Sequence, residues 1–217
     1  MKHIAPIAIA PLLAACATTP DLAALPQTQE AFWDALQSHC GKAYAGGLTS
    51  QDERDADFRG RRMVAHWAQC DADRTAIAFH VEGQPSSSSE AAGRNVDWDR
   101  SRTWVVTRTP EGLRLKHDHR HEDGSVDAVT QYGGDTLSAG TARIQDFPVD
   151  AFSIAMFGRE GLEASVTNVW RIEVDPADEA GATFAYQLTR RNDATRLFRV
   201  EFDLTREVDI PPDAWGW

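Results

Sequence analysis

Arg196-Leu-Phe-Arg-Val-Glu-Phe-Asp-Leu204 alternates without a break. Phe198, Val200, Phe202 and Leu204 fall on one side of an extended chain, and Arg199, Glu201 and Asp203 on the other. Successive side chains of a strand point to opposite faces, so the stretch reads as a β-strand with one apolar and one wet face. Residues 166–174 repeat the pattern through Val166, Trp170, Ile172 and Val174, and residues 182–190 through Phe184, Tyr186 and Leu188. Toward the N-terminus the same period predicts strands over 43–49, 61–70, 74–81, 102–108, 113–121, 126–132 and 139–145. Turn chemistry separates them, in Asp71-Ala-Asp73, Thr109-Pro-Glu-Gly112, Glu122-Asp-Gly-Ser125 and Asp175–Gly181.

About ten short strands joined mostly by hairpins predict an all-β, mainly antiparallel fold, an up-and-down barrel. A β-sandwich is the alternative, because period two does not distinguish closure from stacking. A short helix comes first: Phe32, Ala35, Leu36, His39 and Cys40 share one helical face, and Gly41 is a stop. A second short helix is expected over 148–157. A helix followed by a barrel resembles the calycin, lipocalin-like architecture, which implies nothing about function by itself.

Outside the strands, the N-terminus carries an address. Met1-Lys2-His3 precedes an apolar run from Ile4 to Leu13, then Ala14-Ala15-Cys16. A basic start, a short apolar run and small residues at a cleavage point describe a secretory signal. The run is shorter than the roughly 20 apolar residues that span a bilayer. Leu13-Ala14-Ala15-Cys16 resembles a lipobox, which implies cleavage before Cys16 and lipidation of it, with the acyl chains as a membrane anchor. Ala17 is not the Asp that retains enteric lipoproteins in the inner membrane, so the resemblance implies the outer membrane, with the body facing the periplasm. The expected division is therefore 1–15 signal peptide, 16–29 lipidated Cys and tether, and 30–217 a single β-barrel domain. Gly83–Gly93, with Ser86–Ser89, reads as a flexible loop inside that domain.

A net charge of −11 argues against nucleic acid as a partner and against adhesion to anionic lipid through charge. With Cys16 taken by lipid, Cys40 and Cys70 remain, and outside the cytoplasm two cysteines default to a disulfide. In simple up-and-down alternation, Cys40 precedes the first strand and Cys70 ends the second. Both then fall at one barrel end, together with the tether.

The most unusual residues are Leu113-Arg-Leu-Lys-His117-Asp-His119-Arg-His121-Glu-Asp-Gly-Ser125. On a strand, His117, His119 and His121 share a face with Leu113 and Leu115, so they are expected inside, near Arg102, Arg190, Arg196 and Tyr132 at the end opposite the cysteines. Three readings follow. The imidazoles could form an interior hydrogen-bonded network. They could line a pocket for a small anionic or amphiphilic ligand, with Trp104 and Tyr186 supplying apolar contact. Or His117 and His119, with a third ligand from Asp127, His80 or Glu122-Asp123, could hold a transition metal such as zinc. In the metal reading, Asp123 or Asp127 serves as base of an envelope enzyme. If histidine charge matters to the pocket, affinity should weaken as pH rises past about 6.5.

No glycine-rich phosphate loop, nucleophile elbow or HExxH occurs, so no catalytic residue is assigned. Asp52-Glu-Arg-Asp-Ala-Asp57 reads as a solvated loop. Phe32-Trp33-x-x-Leu36, Cys40-Gly-Lys-Ala-Tyr44, Ser101-Arg-Thr-Trp104, the 115–125 segment, Thr130-x-Tyr-Gly-Gly134 and Pro211-Pro-x-x-Trp215-Gly216 resemble an uncharacterised family of bacterial secreted proteins and lipoproteins. That resemblance implies the address and one domain, and supplies no mechanism. The preferred reading is an outer-membrane-anchored barrel that binds a small ligand through His117, His119, His121, Arg102, Tyr132 and Arg190. A metal-dependent enzyme and a structural or assembly lipoprotein are the alternatives.

Overall fold

The computed structural model describes residues 24–83 and 97–217. The expected signal peptide, Cys16, most of the expected tether and most of the Gly83–Gly93 stretch lie outside the described residues. Among those described, no helix is long and apolar enough to cross a membrane.

Ten strands form one sheet: β1 Ala43–Leu48, β2 Met63–Cys70, β3 Arg74–Glu82, β4 Trp98–Thr109, β5 Gly112–His119, β6 Tyr132–Asp135, β7 Ile144–Pro148, β8 Asn168–Val174, β9 Thr183–Arg190 and β10 Asp193–Glu207. Their spatial order is β6-β5-β4-β3-β2-β1-β10-β9-β8-β7, antiparallel throughout. The first and last strands pair, so the sheet curls into a nearly closed up-and-down barrel. Its seam falls between β6 and β7, which a single bridge joins, Gly134 to Val149. Gly134 is required there, since a Cβ at this position would collide with the Pro148 carbonyl.

The alternation in the sequence decides the packing. Trp67, Ile77, Trp104, Leu115, Trp170, Phe184 and Phe202 point inward and are almost fully buried in one core. Two expected strands are displaced. Residues 126–132 are loop until Tyr132 opens β6, and 139–145 gives way to β7 at 144–148. The Ala139 and Thr141 carbonyls on either side of Gly140 accept from the Gln145 side-chain amide there, which takes the chain out of strand geometry. The second helix, α2, spans Ala151–Arg159, capped by the Asp150 carboxylate on the Ser153 amide.

Helix α1, Gln27–Gln37, begins three residues inside the expected tether and closes one end of the barrel. Its Phe32, Trp33, Ala35 and Leu36 enter the core. Its polar side chains bind the hairpins at that rim. Gln29 donates to Thr136 at 2.9 Å, Gln37 donates to the Asp71 carbonyl and Thr75 at 2.9 Å each, and Arg108 grips Glu30 through two bonds. Cys40 and Cys70 form a disulfide at this closed end, with Cα atoms 6.0 Å apart. The other end carries the long connections between β1 and β2, β5 and β6, and β7 and β8.

Candidate functional site

At the end opposite α1 lies a cavity of about 160 Å³, lined by Asp55, Phe58, Phe79, Arg102, Trp104, His117, His119, Tyr132, Tyr186, Leu188, Arg196 and Phe198. Six strands and the β1–β2 connection converge on it. Period two brings the residues there: His117 and His119 on β5, Arg102 and Trp104 on β4, Tyr186 and Leu188 on β9, and Arg196 and Phe198 on β10 are inward neighbours at successive i, i+2 positions.

The walls are aromatic. Trp104 stacks between Phe79 and Tyr186 at centroid distances of 4.6 and 4.5 Å. His117 lies flat on Tyr132 at 4.4 Å. The hydrogen bonds fix its tautomer, because the backbone carbonyl of Tyr132, 3.0 Å from Nδ1, can only accept. Nδ1 therefore carries the proton, and Nε2 accepts from the Tyr186 hydroxyl at 2.8 Å. Both ring nitrogens of His117 are thereby satisfied. His119 Nε2 meets the Tyr132 hydroxyl at 3.0 Å. Burial pushes His117 down to about 3, and burial followed by the Arg102 charge pushes His119 down to about 4. Both imidazoles are neutral at physiological pH. Burial also pushes Tyr132 up to about 12 and Tyr186 well above its ordinary value.

The rim is charged and largely self-compensated. Arg102 pairs with Asp99 at 2.5 Å, and Arg196 with Asp55 and Asp52 at 2.5 and 3.0 Å. Arg190 stands outside the lining and donates Nε to Asn168 at 3.1 Å. Burial and the charges of Arg196 and Arg54 lower its affinity for its proton.

Four expected ligand-binding residues thus meet in one cavity: His117, His119, Arg102 and Tyr132. His121 does not. The strand ends at His119, and a tight turn through Gly124 (φ 81°) carries His121 out to solvent, 57% exposed and 4.0 Å from Asp127. A positive-φ glycine at this point defeats the alternation, and the Glu122-Asp-Gly sequence is its signal. The metal reading is not met. Both His117 nitrogens are engaged, His80 faces away from the interior, and among the described residues no three His, Cys, Asp or Glu side chains are placed to hold a metal ion.

The Asp52–Asp57 stretch is also more than a solvated loop. Glu53–Phe58 is a 3₁₀ segment whose Asp55 is 5% exposed and whose Phe58 packs on Phe198 at the cavity wall. Nothing local signals this, since the Arg196 that holds Asp55 lies 141 residues away. No protein-family model, curated protein or solved structure matches the chain.

Proposed function

We propose that this protein is a lipid-anchored envelope protein that binds a small ligand in the open-end cavity of its barrel. The carrying observation is the contrast between the two ends. One is sealed by α1 and a disulfide, while the other holds a preformed aromatic cavity with convergent polar atoms. Typical drug-sized sites run about 300–1,000 Å³, whereas a cavity of about 150 Å³ takes a single benzene-sized ring. At about 160 Å³ this cavity suits a ligand, or the end of a longer amphiphile, about one ring in size.

The polar atoms narrow the chemistry. His117 belongs to the framework, since both of its nitrogens are used. His119, the Tyr186 oxygen and the remaining Arg102 N–H groups are left for the ligand. Neutral histidines and ion-paired arginines favour a polar ligand that offers carbonyl or hydroxyl oxygens over one that needs an uncompensated positive charge. Affinity should then be flat between pH 5 and 8, in place of the weakening expected from charged histidines. The saturation of His117 also favours a second reading, a structural lipoprotein whose interior histidines serve only the fold.

The address rests on the Leu13–Cys16 lipobox. Palmitate labelling in a bacterial host, abolished in Cys16→Ser, tests it. The cavity is tested by native mass spectrometry with elemental analysis of the purified protein. A bound organic mass, lost in Trp104→Ala or Arg102→Gln, supports ligand binding. A clean apo protein that also leaves a panel of single-ring compounds unbound supports the structural reading. One equivalent of metal, lost in a His117/His119 double substitution, would return the enzyme reading.

A further inference from the structure

Two histidines lie on the wrong side of the barrel wall to be buried. His66 on β2 and His80 on β3 alternate with the inward Ala65, Trp67, Phe79 and Val81, so they point outward. Outward positions of an antiparallel barrel ordinarily meet water, yet His66 is 7% and His80 0% exposed. Their rings are near parallel at 6.4 Å between centroids, with Trp98 edge-on to His80 at 6.3 Å. Among the described residues, neither ring nitrogen of His80 has a hydrogen-bond partner, and nor does Nδ1 of His66. A buried polar group without a partner costs about 1–3 kcal/mol, so this arrangement asks for an explanation.

The cover is the C-terminal strap, residues 208–217. It leaves β10 where the Val208 amide donates to the Ala43 carbonyl, then crosses the outer face of β2 and β3 to β4. There the Trp215 amide donates to the Arg100 carbonyl, and the Arg100 guanidinium donates to the Asp213 carbonyl at 2.6 Å. The strap's own Pro211 and Ala214 are buried. Its tip ends on β5, where Trp217 Nε1 donates to Asp118 at 2.8 Å and the ring takes the Arg74 guanidinium at 5.0 Å. Val64, directly opposite His80 on β2, lines one groove together with Pro211 and Pro212.

We infer that the His66–His80 pair is an acid-operated latch: the neutral rings hold the strap closed, and protonation releases it from the barrel wall. A charge on His80 would sit beside His66 and Arg100, closed off from bulk solvent and with no hydrogen-bond acceptor on its ring nitrogens among the described residues. The facing carboxylates are Asp99 on β4, already paired with Arg102, and Asp213 on the strap, which lies toward His66. Rehydrating the ring by opening the barrel would break strand ladders. Lifting the strap breaks the few bonds just named among the described residues and leaves the strand ladders intact. Burial holds both rings below their ordinary value, His80 down to about 4. This latch is independent of the cavity reading.

Hydrogen–deuterium exchange of the C-terminal peptide of the purified full chain tests it, corrected for the intrinsic pH dependence of exchange. With His80 at about 4 closed and about 6.5 when hydrated, linkage makes the opening constant rise roughly 30-fold from pH 7.5 to pH 5. The amides of β9 and β10 should exchange more slowly than those of the strap at every pH. In His80→Leu, which replaces the unpartnered ring with an apolar side chain, only His66 is left to titrate, and strap opening should vary several-fold less than in wild type over the same range. A wild-type strap with a flat response, a His80→Leu strap that opens in acid as far as the wild type does, or strap amides that exchange no faster than those of β9 and β10 overturns the latch. If His80→Leu does not fold, ring titration of wild-type His80 by NMR decides instead. A midpoint below about 5.5 supports the latch, and one at or above that value overturns it.

Discussion

Acidification from pH 7 to pH 5 should cost this barrel a large share of its stability, and the interior histidines set the size of the loss. Burial holds His117 at about 3 and His119 at about 4, while unfolding returns each to about 6.5. Because the folded values are depressed, the unfolded chain binds the extra protons. The stability contribution is therefore fully present above pH 6.5 and is lost as pH falls toward the folded values. At pH 5 linkage gives about 2 kcal/mol for each ring, or about 4 kcal/mol for the two. His80 adds a comparable amount when the whole chain unfolds. Carboxylates do not confuse the window, since their ordinary values lie near 4 and they stay ionised in both states above pH 5. Against a usual domain stability of about 5–15 kcal/mol, the loss brings the protein close to acid unfolding. Urea unfolding followed by tryptophan fluorescence at pH 7, 6 and 5, without reductant, measures it. His119→Gln, neutral at every pH, should remove about 2 kcal/mol of the dependence. A wild-type loss below about 1 kcal/mol would refute the reasoning, because the rings would then be hydrated or charged in the native state.

Three further outcomes follow from the same contacts, each read by urea unfolding at pH 7. Tyr186→Phe removes only the hydroxyl that donates to His117 Nε2, and leaving that buried acceptor unpaired should cost about 1–3 kcal/mol. Asp55→Ala strips Arg196 of its most buried carboxylate and should cost about 3 kcal/mol, with loosening of the 3₁₀ segment visible as faster exchange of its amides. Reducing the Cys40–Cys70 bond, which closes a 30-residue separation, should cost about 3–4 kcal/mol through loop entropy, and Cys40→Ser/Cys70→Ser should match it.

Much of the barrel was legible because its signals are local. The Phe198–Leu204 alternation, the Trp170–Val174 alternation and the hairpin glycines specify strands whose neighbours in sequence are their neighbours in space. Simple parity then placed Cys40 beside Cys70 at the end opposite His119. Legibility failed where short-range chemistry interrupts the period. Gly124 turns His121 outward after two correctly placed histidines, and the Gly140–Gln145 loop displaces a strand. It failed again where partners are remote, as with Asp55 and Arg196.

The sequence alone determined the strand count, the antiparallel hairpin order, the disulfide and the inward face of His117 and His119. All of these depend on period two and on turns a few residues long. Tertiary structure decided the closure of β1 onto β10 with a seam at Gly134, the sealing of one end by α1, and the size of the cavity at the other. It also decided that the histidines are neutral. It buried His66 and His80 on an outward face, because a strap from the far end of the chain lies over them. A side chain's periodicity tells which way it points, but its hydration depends on what the rest of the chain lays against it.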